Sequence, residues 1–330
     1  MKNLNSIDII KYLMSLFVVS IHCNIIQQVE PKTLHHFLNM FLTAAVPFFF
    51  CASGYLMTRS IPFNSEYKVA DTAILKKKAW KQTKRVLQLY LIWFLLYTLL
   101  GLDYNAEIMP YILKKTHNFF CWGGGSLWYL WSMTLSIPLI TYYLSMGGDC
   151  KKLLFISLCS FFAFRAYAHY GSVPIPNWWQ KPLVFLWKGQ YFNFFGIADS
   201  LLYLSMGIFI CKSEWIHKQP VRTFWFLIAL GFIIGMIDNG EVSIGNIPIA
   251  LGLFSLCLKW NTTWEDSICK KLRVMSIFIY VVHGMVIYFT YKYFHLEPVL
   301  RWVLILMECI LLGFVFYNLH KKIKILRILV

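Results

Sequence analysis

The chain has 330 residues, of which 58% are hydrophobic and only 14% are charged, and its formal net charge is +16. Soluble domains carry about 25% charged residues, so this composition excludes an ordinary soluble protein and predicts an integral membrane protein. The positive charge does not indicate nucleic-acid binding, because the basic residues concentrate in short segments between apolar runs, as membrane topology requires.

Apolar runs recur along the whole sequence, which predicts a single membrane-embedded domain over residues 1–330. The first run follows a charged start but lacks a small-residue cleavage site, so we expect it to stay attached. The nine cysteines show neither CxxC pairs nor Cys/His ligand spacing, and the sequence therefore predicts no metal site and no disulfide framework.

A membrane-spanning helix needs about 20 mostly apolar residues. We predict an all-α, polytopic fold of about ten transmembrane helices at residues 7–27, 37–57, 86–103, 127–146, 153–170, 191–211, 223–238, 245–260, 274–294 and 299–319. Four basic segments fall in loops or tails on one side of such a bundle: 76–85, 151–152, 270–273 and 321–327. An excess of Lys and Arg marks the cytoplasmic side, so both termini are expected to be cytoplasmic.

The first predicted helix carries an ionisable face formed by Asp8, Lys11 and His22. Lys11 and His22 are eleven residues apart, which places them on one helix face and about 16 Å apart along the axis. Asp8 lies one turn before Lys11, within reach of an ion pair. Titratable groups inside a bilayer are costly and usually line a cavity or pathway. The alternatives are a lysine that extends to the headgroups, an acid that only starts the helix and a structural histidine.

Later helices add further polar features. Ser53-Gly54, after Pro47, is typical of a kinked and closely packed helix. Tyr280 and His283 share a face of the ninth predicted helix. Two acids at membrane depth are also candidate cavity residues: Asp199 and Glu308.

Two predicted outer loops are long and aromatic. Residues 104–126 include Trp122 and a run of three glycines, and residues 171–190 include Trp178-Trp179. Aromatic residues at this position form either a membrane-interface belt or a platform on which a sugar stacks. Both interpretations remain open.

Taken in order, these features resemble the acyltransferase-3 family of bacterial membrane acyltransferases over nearly the whole chain. The resemblance rests on Asp8, Lys11 and His22, the FFFxxSGYL stretch at 48–56, the basic patch before the third helix, LWYL at 127–130 and SxxxYxxH at 276–283. Two departures from the family's pattern concern residues that are expected to contact the acyl donor. Lys11 stands where the family has arginine, and in the family's Arg-x-x-Arg motif Arg85 fits the second position while Gln82 or Lys81 takes the first.

The resemblance implies transfer of an acyl group, commonly acetyl, from cytoplasmic acyl-CoA to a hydroxyl of a carbohydrate or lipid-linked glycan, without a metal, in the bacterial inner membrane. His22 is our candidate general base, because a neutral imidazole can take the proton of the attacking hydroxyl. The candidate donor-binding residues are Lys11, Lys81, Lys84, Arg85, Ser53 and Tyr55. The candidate acceptor-binding residues are Asp8, Trp128, Tyr129, Tyr280, His283, Asp199 and Glu308.

A membrane transporter is the main alternative, because ionisable residues on helix faces also suit export of a polysaccharide precursor or a small polar solute. A structural or sensing subunit is a third, weaker reading. For the basic patch, topology signalling and contact with anionic lipid are the plain alternatives to donor binding. The oligomeric state stays open, with a homo-oligomer among the alternatives.

Overall fold

The computed structural model describes residues 4–25, 29–101, 111, 115–116, 118–119, 125–170, 194–237, 244–260 and 262–330. Within these ranges the chain is helical, and apart from two isolated bridges no β-structure forms. The predicted all-α class is therefore confirmed. The aromatic residues predicted to line the outer loops, Trp122 and Trp178-Trp179, lie outside the described residues.

Twelve α-helices have their bounds within the described ranges: α1 (Asn5–His22), α2 (Lys32–Thr43), α3 (Ala45–Thr58), α4 (Thr72–Leu100), α5 (Trp128–Ser145), α6 (Cys150–Tyr170), α7 (Phe194–Lys212), α8 (Trp215–Lys218), α9 (Val221–Ile237), α10 (Asn246–Lys259), α11 (Asp266–Tyr293) and α12 (Pro298–Lys322). Short 3₁₀ helices cover Gly125–Leu127 and Lys324–Leu329. Each predicted apolar run overlaps one helix, except that the second run is divided between α2 and α3.

Three described stretches are long and apolar enough to cross a membrane: Lys32–Thr58, Asp266–Tyr293 and Pro298–Lys322. Helices α9 and α10 are apolar but shorter, with 17 and 14 residues. These helices support a membrane protein. The number of ten spans and the cytoplasmic placement of both termini stay predictions.

The basic segment 76–85 lies inside α4, and the prediction of a loop at this place was wrong. The helix begins at Asp71, whose carboxylate accepts hydrogen bonds from the backbone N–H groups of Ala73 and Ile74 at 2.9 and 3.0 Å. An aspartate in this position is a favourable N-cap. Lysine and arginine are good helix formers with long stems, so a basic segment extends a helix into the headgroup region without breaking it.

The described chain divides into two compact units, which are described separately. The first unit comprises residues 1–52 and 213–330, and the second comprises residues 53–212. Helix α3 contributes its first half to the first unit and its second half to the second. A single domain over residues 1–330 stays a prediction.

In the first unit, α1 and α11 pack side by side and run parallel. Arg273 contacts Asp8 near the start of both helices, and the Tyr291 hydroxyl donates to the Cys23 carbonyl near their ends, at 3.2 Å. Helix α12 returns along them, with the Trp302 indole donating to the Ser20 hydroxyl at 3.0 Å. Helices α2, α9 and α10 share an apolar core built from Met40, Ala44, Ile249 and Phe232.

In the second unit, aromatic and small polar residues join α4, α5, α6 and α7. The rings of Tyr90 and Trp131 lie 5.2 Å apart between α4 and α5. The hydroxyls of Ser157 and Ser205 lie 3.0 Å apart between α6 and α7. Small residues at helix interfaces allow the close approach on which packing inside a membrane depends.

In the second unit, Gly54 in α3 lies close to the backbone of α7. A Cβ atom added at Gly54 would lie 2.2 Å from the backbone oxygen of Leu204, and a backbone atom cannot move aside as a side chain can. The Ser53-Gly54 pair therefore permits the close packing that the sequence predicted.

We expect Gly54→Ala to destabilise the protein by about 1–3 kcal/mol, because it overpacks an interface against the backbone. The measurement is the apparent melting temperature of the purified protein in detergent. Gly313→Ala in α12 is the matched control, since its Cβ would meet only flexible side chains, those of Ile279 at 3.3 Å and Met275 at 3.5 Å. Equal melting temperatures for the two variants would contradict the packing described here.

Candidate active site

A bidentate ion pair between a buried carboxylate and a half-exposed arginine joins the starts of α1 and α11. Asp8 is 5% exposed. Its two carboxylate oxygens accept hydrogen bonds from Nε and Nη2 of Arg273, at 2.8 and 2.5 Å. The sequence predicted Lys11 as the partner of Asp8 and treated Arg273 only as part of a topology signal. Because both oxygens of Asp8 are occupied, the geometry favours a structural role for this residue over contact with a substrate.

Lys11 lies on α1, half-buried, one turn after Asp8. Its charge is close enough to α10 to act on the thiol of Cys257. The helix rise places its Cα about 16 Å before that of His22. The cation and the imidazole thus occupy two well-separated levels of one helix, as the sequence predicted.

His22, the last residue of α1, lies against His283 of α11, with ring centroids 5.0 Å apart and planes tilted by 34°. Both histidines were candidates from the sequence, but nothing in the sequence indicated that they touch. His283 is fully buried, and its Nδ1 lies 2.6 Å from the Tyr280 carbonyl oxygen. A carbonyl only accepts, so Nδ1 carries the hydrogen and, in the neutral ring, Nε2 presents a lone pair.

Nε2 of His283 is buried and has no hydrogen-bond partner in the described part of the chain. Leaving a buried polar atom unsatisfied costs about 1–3 kcal/mol, so such an atom in a folded protein calls for an explanation. The imidazole of His22 lies beside the ring of His283, with the two centroids 5.0 Å apart. Two imidazoles placed in this way can take a proton on one ring and accept a hydrogen bond on the other.

Aromatic and polar residues surround the histidine pair. The Tyr280 ring lies 5.9 Å from that of His283 and 6.4 Å from that of Phe49 in the first half of α3. Glu308 of α12 is not beside the histidines, because its carboxylate oxygen accepts a hydrogen bond from the Thr290 hydroxyl of α11 at 2.8 Å. Thr290 is two turns beyond His283 on α11, so the hydrogen bond holds Glu308 at a different level from the histidines.

In the second unit, two candidate residues contact each other: the hydroxyls of Ser53 and Tyr129 lie 3.2 Å apart in a buried position. Tyr55 and Trp128, next to this pair in the sequence, are half-buried. Three of the predicted donor-binding residues are exposed on α4: Lys81, Lys84 and Arg85.

Asp199 of α7 is held by Arg165 of α6, which the sequence did not single out. Nη2 of Arg165 lies 3.0 Å from each carboxylate oxygen of Asp199, and both side chains are mostly buried, with 21% and 17% exposure. As for Asp8, an occupied carboxylate favours a structural role. A charged residue near the end of a predicted apolar span was the signal for Arg165, because a cation at that depth needs a partner.

No group of three or more His, Cys, Asp or Glu residues within the described ranges is arranged to hold a metal ion.

Comparison with known proteins adds to this geometry. A family model described as an acyltransferase domain, that of the acyltransferase-3 family, matches residues 4–318. An "Amino-acid racemase" from Enterococcus faecalis is 23% identical over 350 residues, a match that covers 97% of this chain but 47% of the relative. The chain thus spans about half the length of that curated relative. No solved structure matches it.

The ion pair at the start of α1 and α11 leads to a stability prediction. Asp8→Asn is expected to destabilise the protein by about 1–3 kcal/mol, less than for a fully buried pair because Arg273 is half-exposed. The double variant Asp8→Asn/Arg273→Gln should lose less stability than the sum of the losses of the two single variants, because the effects of residues in contact are not additive. Melting temperatures of the two single variants and the double variant measure this coupling, and strictly additive losses would contradict the pair.

Proposed function

Since this chain belongs to the acyltransferase-3 family, we propose that it is a membrane O-acyltransferase. It moves an acyl group, in the first instance acetyl, from cytoplasmic acyl-CoA to a hydroxyl of a carbohydrate or other cell-envelope acceptor in the bacterial inner membrane. The observation that carries the proposal is the adjacency of the His22 ring to the ring of His283, whose Nε2 is buried and has no hydrogen-bond partner among the described residues.

His22 acts as the general base in the proposed reaction. As the acceptor oxygen attacks the thioester carbonyl, the C–O bond forms and the imidazole takes the hydroxyl proton. The tetrahedral intermediate then breaks the C–S bond, and the imidazolium returns the proton to the departing CoA sulfur. A positioned base of this kind contributes about 10²–10⁴-fold to the rate.

His283 is proposed to support His22 through Nε2. The hydrogen of Nδ1 is directed to the Tyr280 carbonyl, so Nε2, unpartnered in the described structure, accepts a hydrogen bond from the N–H of the His22 ring in the reacting complex. That hydrogen bond selects the tautomer of His22 whose other nitrogen is free to accept a proton. The resemblance predicted that His283 binds the acceptor; we propose instead that it positions the base.

The donor is proposed to reach His22 from the level of Lys11. The cation at Lys11 meets a negative group of CoA, and the thioester arm spans the distance of about 16 Å to the imidazole. Lysine supplies the charge of the family's arginine without its planar fork, so it contacts a phosphate as a point charge. The exposed Lys81, Lys84 and Arg85 attract the anionic donor from a distance.

The acceptor is proposed to contact the aromatic residues around the two histidines, among them Tyr280. The name of the curated relative does not extend to this chain, because about half of that protein has no counterpart here. Racemase activity is therefore no part of the proposal. A transporter makes a different prediction: substrate flux without consumption of acyl donor.

His22→Ala is expected to lower acyl transfer by about 10²–10⁴-fold, because it removes the base. The assay follows radiolabel from acetyl-CoA to an acceptor in membranes that contain matched amounts of inserted protein. His217→Ala is the control, since this histidine is exposed on the four-residue helix α8. Undiminished transfer by the His22 variant would exclude the base, and flux without acyl consumption would favour the transporter.

Two substitutions at His283 test the roles of its two ring nitrogens separately. In His283→Gln the side-chain oxygen reaches the position of Nε2, whereas the shorter side chain of His283→Asn keeps only a donor toward the Tyr280 carbonyl. We expect the Gln variant to keep most of kcat and the Asn variant to lose about 10–100-fold, the effect of one hydrogen bond to a charged group. The reverse order would show that the Nδ1 hydrogen bond matters and that His283 is structural.

A further inference from the structure

Two ammonium groups from different helices of the second unit converge on one turn. Lys212, the last residue of α7, donates from Nζ to the Ile61 carbonyl oxygen at 2.6 Å and lies over the ring of Phe63. Lys78, in the second turn of α4, donates to the hydroxyl of Ser60. Because Ser60 and Ile61 are adjacent, the turn that follows α3 gathers positive charge from α4 and α7.

The cations at this turn are close enough to act on each other. Burial lowers the pKa of Lys212, and the charge of Lys78 lowers it further, so the two ammonium groups repel. Arg59, directly before Ser60, lies near Cys211, which directly precedes Lys212. Like charges gathered in a half-buried place destabilise one another, and a bound anion relieves the repulsion.

No carboxylate compensates these lysines within the described part of the chain. The ion pairs there join Lys68 to Glu66, Lys152 to Asp149, Arg165 to Asp199, Lys218 to Glu214 and Arg273 to Asp8. Asp71, the acid nearest to Lys78 in sequence, accepts hydrogen bonds from the first turn of α4. Lys78 and Lys212 are also half-buried, unlike the exposed Lys76 and Lys77 beside them.

A purely structural role explains part of this arrangement. Lysine side chains often bind carbonyl oxygens near a helix C-terminus, and the bonds to Ser60 and Ile61 hold the turn after α3 in this way. Each ammonium group has three donors, however, and each bond described uses one of them. One lysine would hold the turn, so the second cation at the same place indicates an anionic ligand.

We propose that Lys78 and Lys212, with Arg59 beside them, form a phosphate-binding site. On the proposed function its ligand is a phosphate of the nucleotide end of acyl-CoA. Three cations around a half-buried turn suit a group with several charged oxygens, because each can donate a charge-assisted hydrogen bond. The exposed Lys81, Lys84 and Arg85 then steer the donor, and this site holds it.

The test measures binding of radiolabelled CoA to the full chain reconstituted in phosphatidylcholine vesicles. Lys78→Gln/Lys212→Gln is expected to raise the Kd for CoA by about 10–100-fold, since two charge-assisted hydrogen bonds are lost. Lys78→Arg/Lys212→Arg should stay near the wild type, because it keeps the charge and shows that the site folds. Lys76→Gln/Lys77→Gln is the matched control and should leave the Kd unchanged.

A lipid headgroup offers the same phosphate chemistry, and phosphatidylglycerol in the vesicles distinguishes the two sources. If the lipid occupies the site, phosphatidylglycerol raises the melting temperature of the wild type but not that of the double Gln variant. In that case the wild type and the double Gln variant have equal Kd values for CoA. Equal Kd values together with equal lipid responses would overturn the site. That result leaves the proposed function standing, because label transfer that depends on His22 tests it separately.

Discussion

The bidentate contact between Asp8 and Arg273 sets how α1 and α11 lie against each other, and the candidate site depends on that register. From Asp8 to His22 the helix rises about 21 Å, and from Arg273 to His283 about 15 Å. The difference of about 6 Å is close to the reach of an arginine side chain, which in a helix points back toward the N-terminus. Arg273 therefore reaches back to Asp8, and the two imidazoles meet at one level.

The polar groups of the described helices separate into two kinds. Asp8 and Asp199 each have both carboxylate oxygens held by an arginine, and Glu308 shares a hydrogen bond with Thr290. Charges at membrane depth are stable when they are paired in this way. The histidine pair is different, because an imidazole enters an apolar environment in its neutral form and keeps a lone pair for chemistry.

Much of this architecture was accessible from the sequence, because apolar runs and helical spacing are local properties. They predicted the helices, the ionisable face of α1 and both histidines. The partners of Asp8 and Asp199 were not predictable, since Arg273 and Arg165 lie on other helices and contact depends on packing register. The basic start of α4 was predicted as a loop because charge alone does not distinguish a loop from a helix that extends beyond the apolar region.

The contact between Asp8 and Arg273 joins residues 265 positions apart in the chain. Because α1 is translated long before α11, Asp8 has no arginine partner until residue 273 has been made. His22 likewise has no partner ring until residue 283 has emerged. A nascent chain that stops before α11 contains His22 without His283, so the candidate site is assembled only after α11 has been translated.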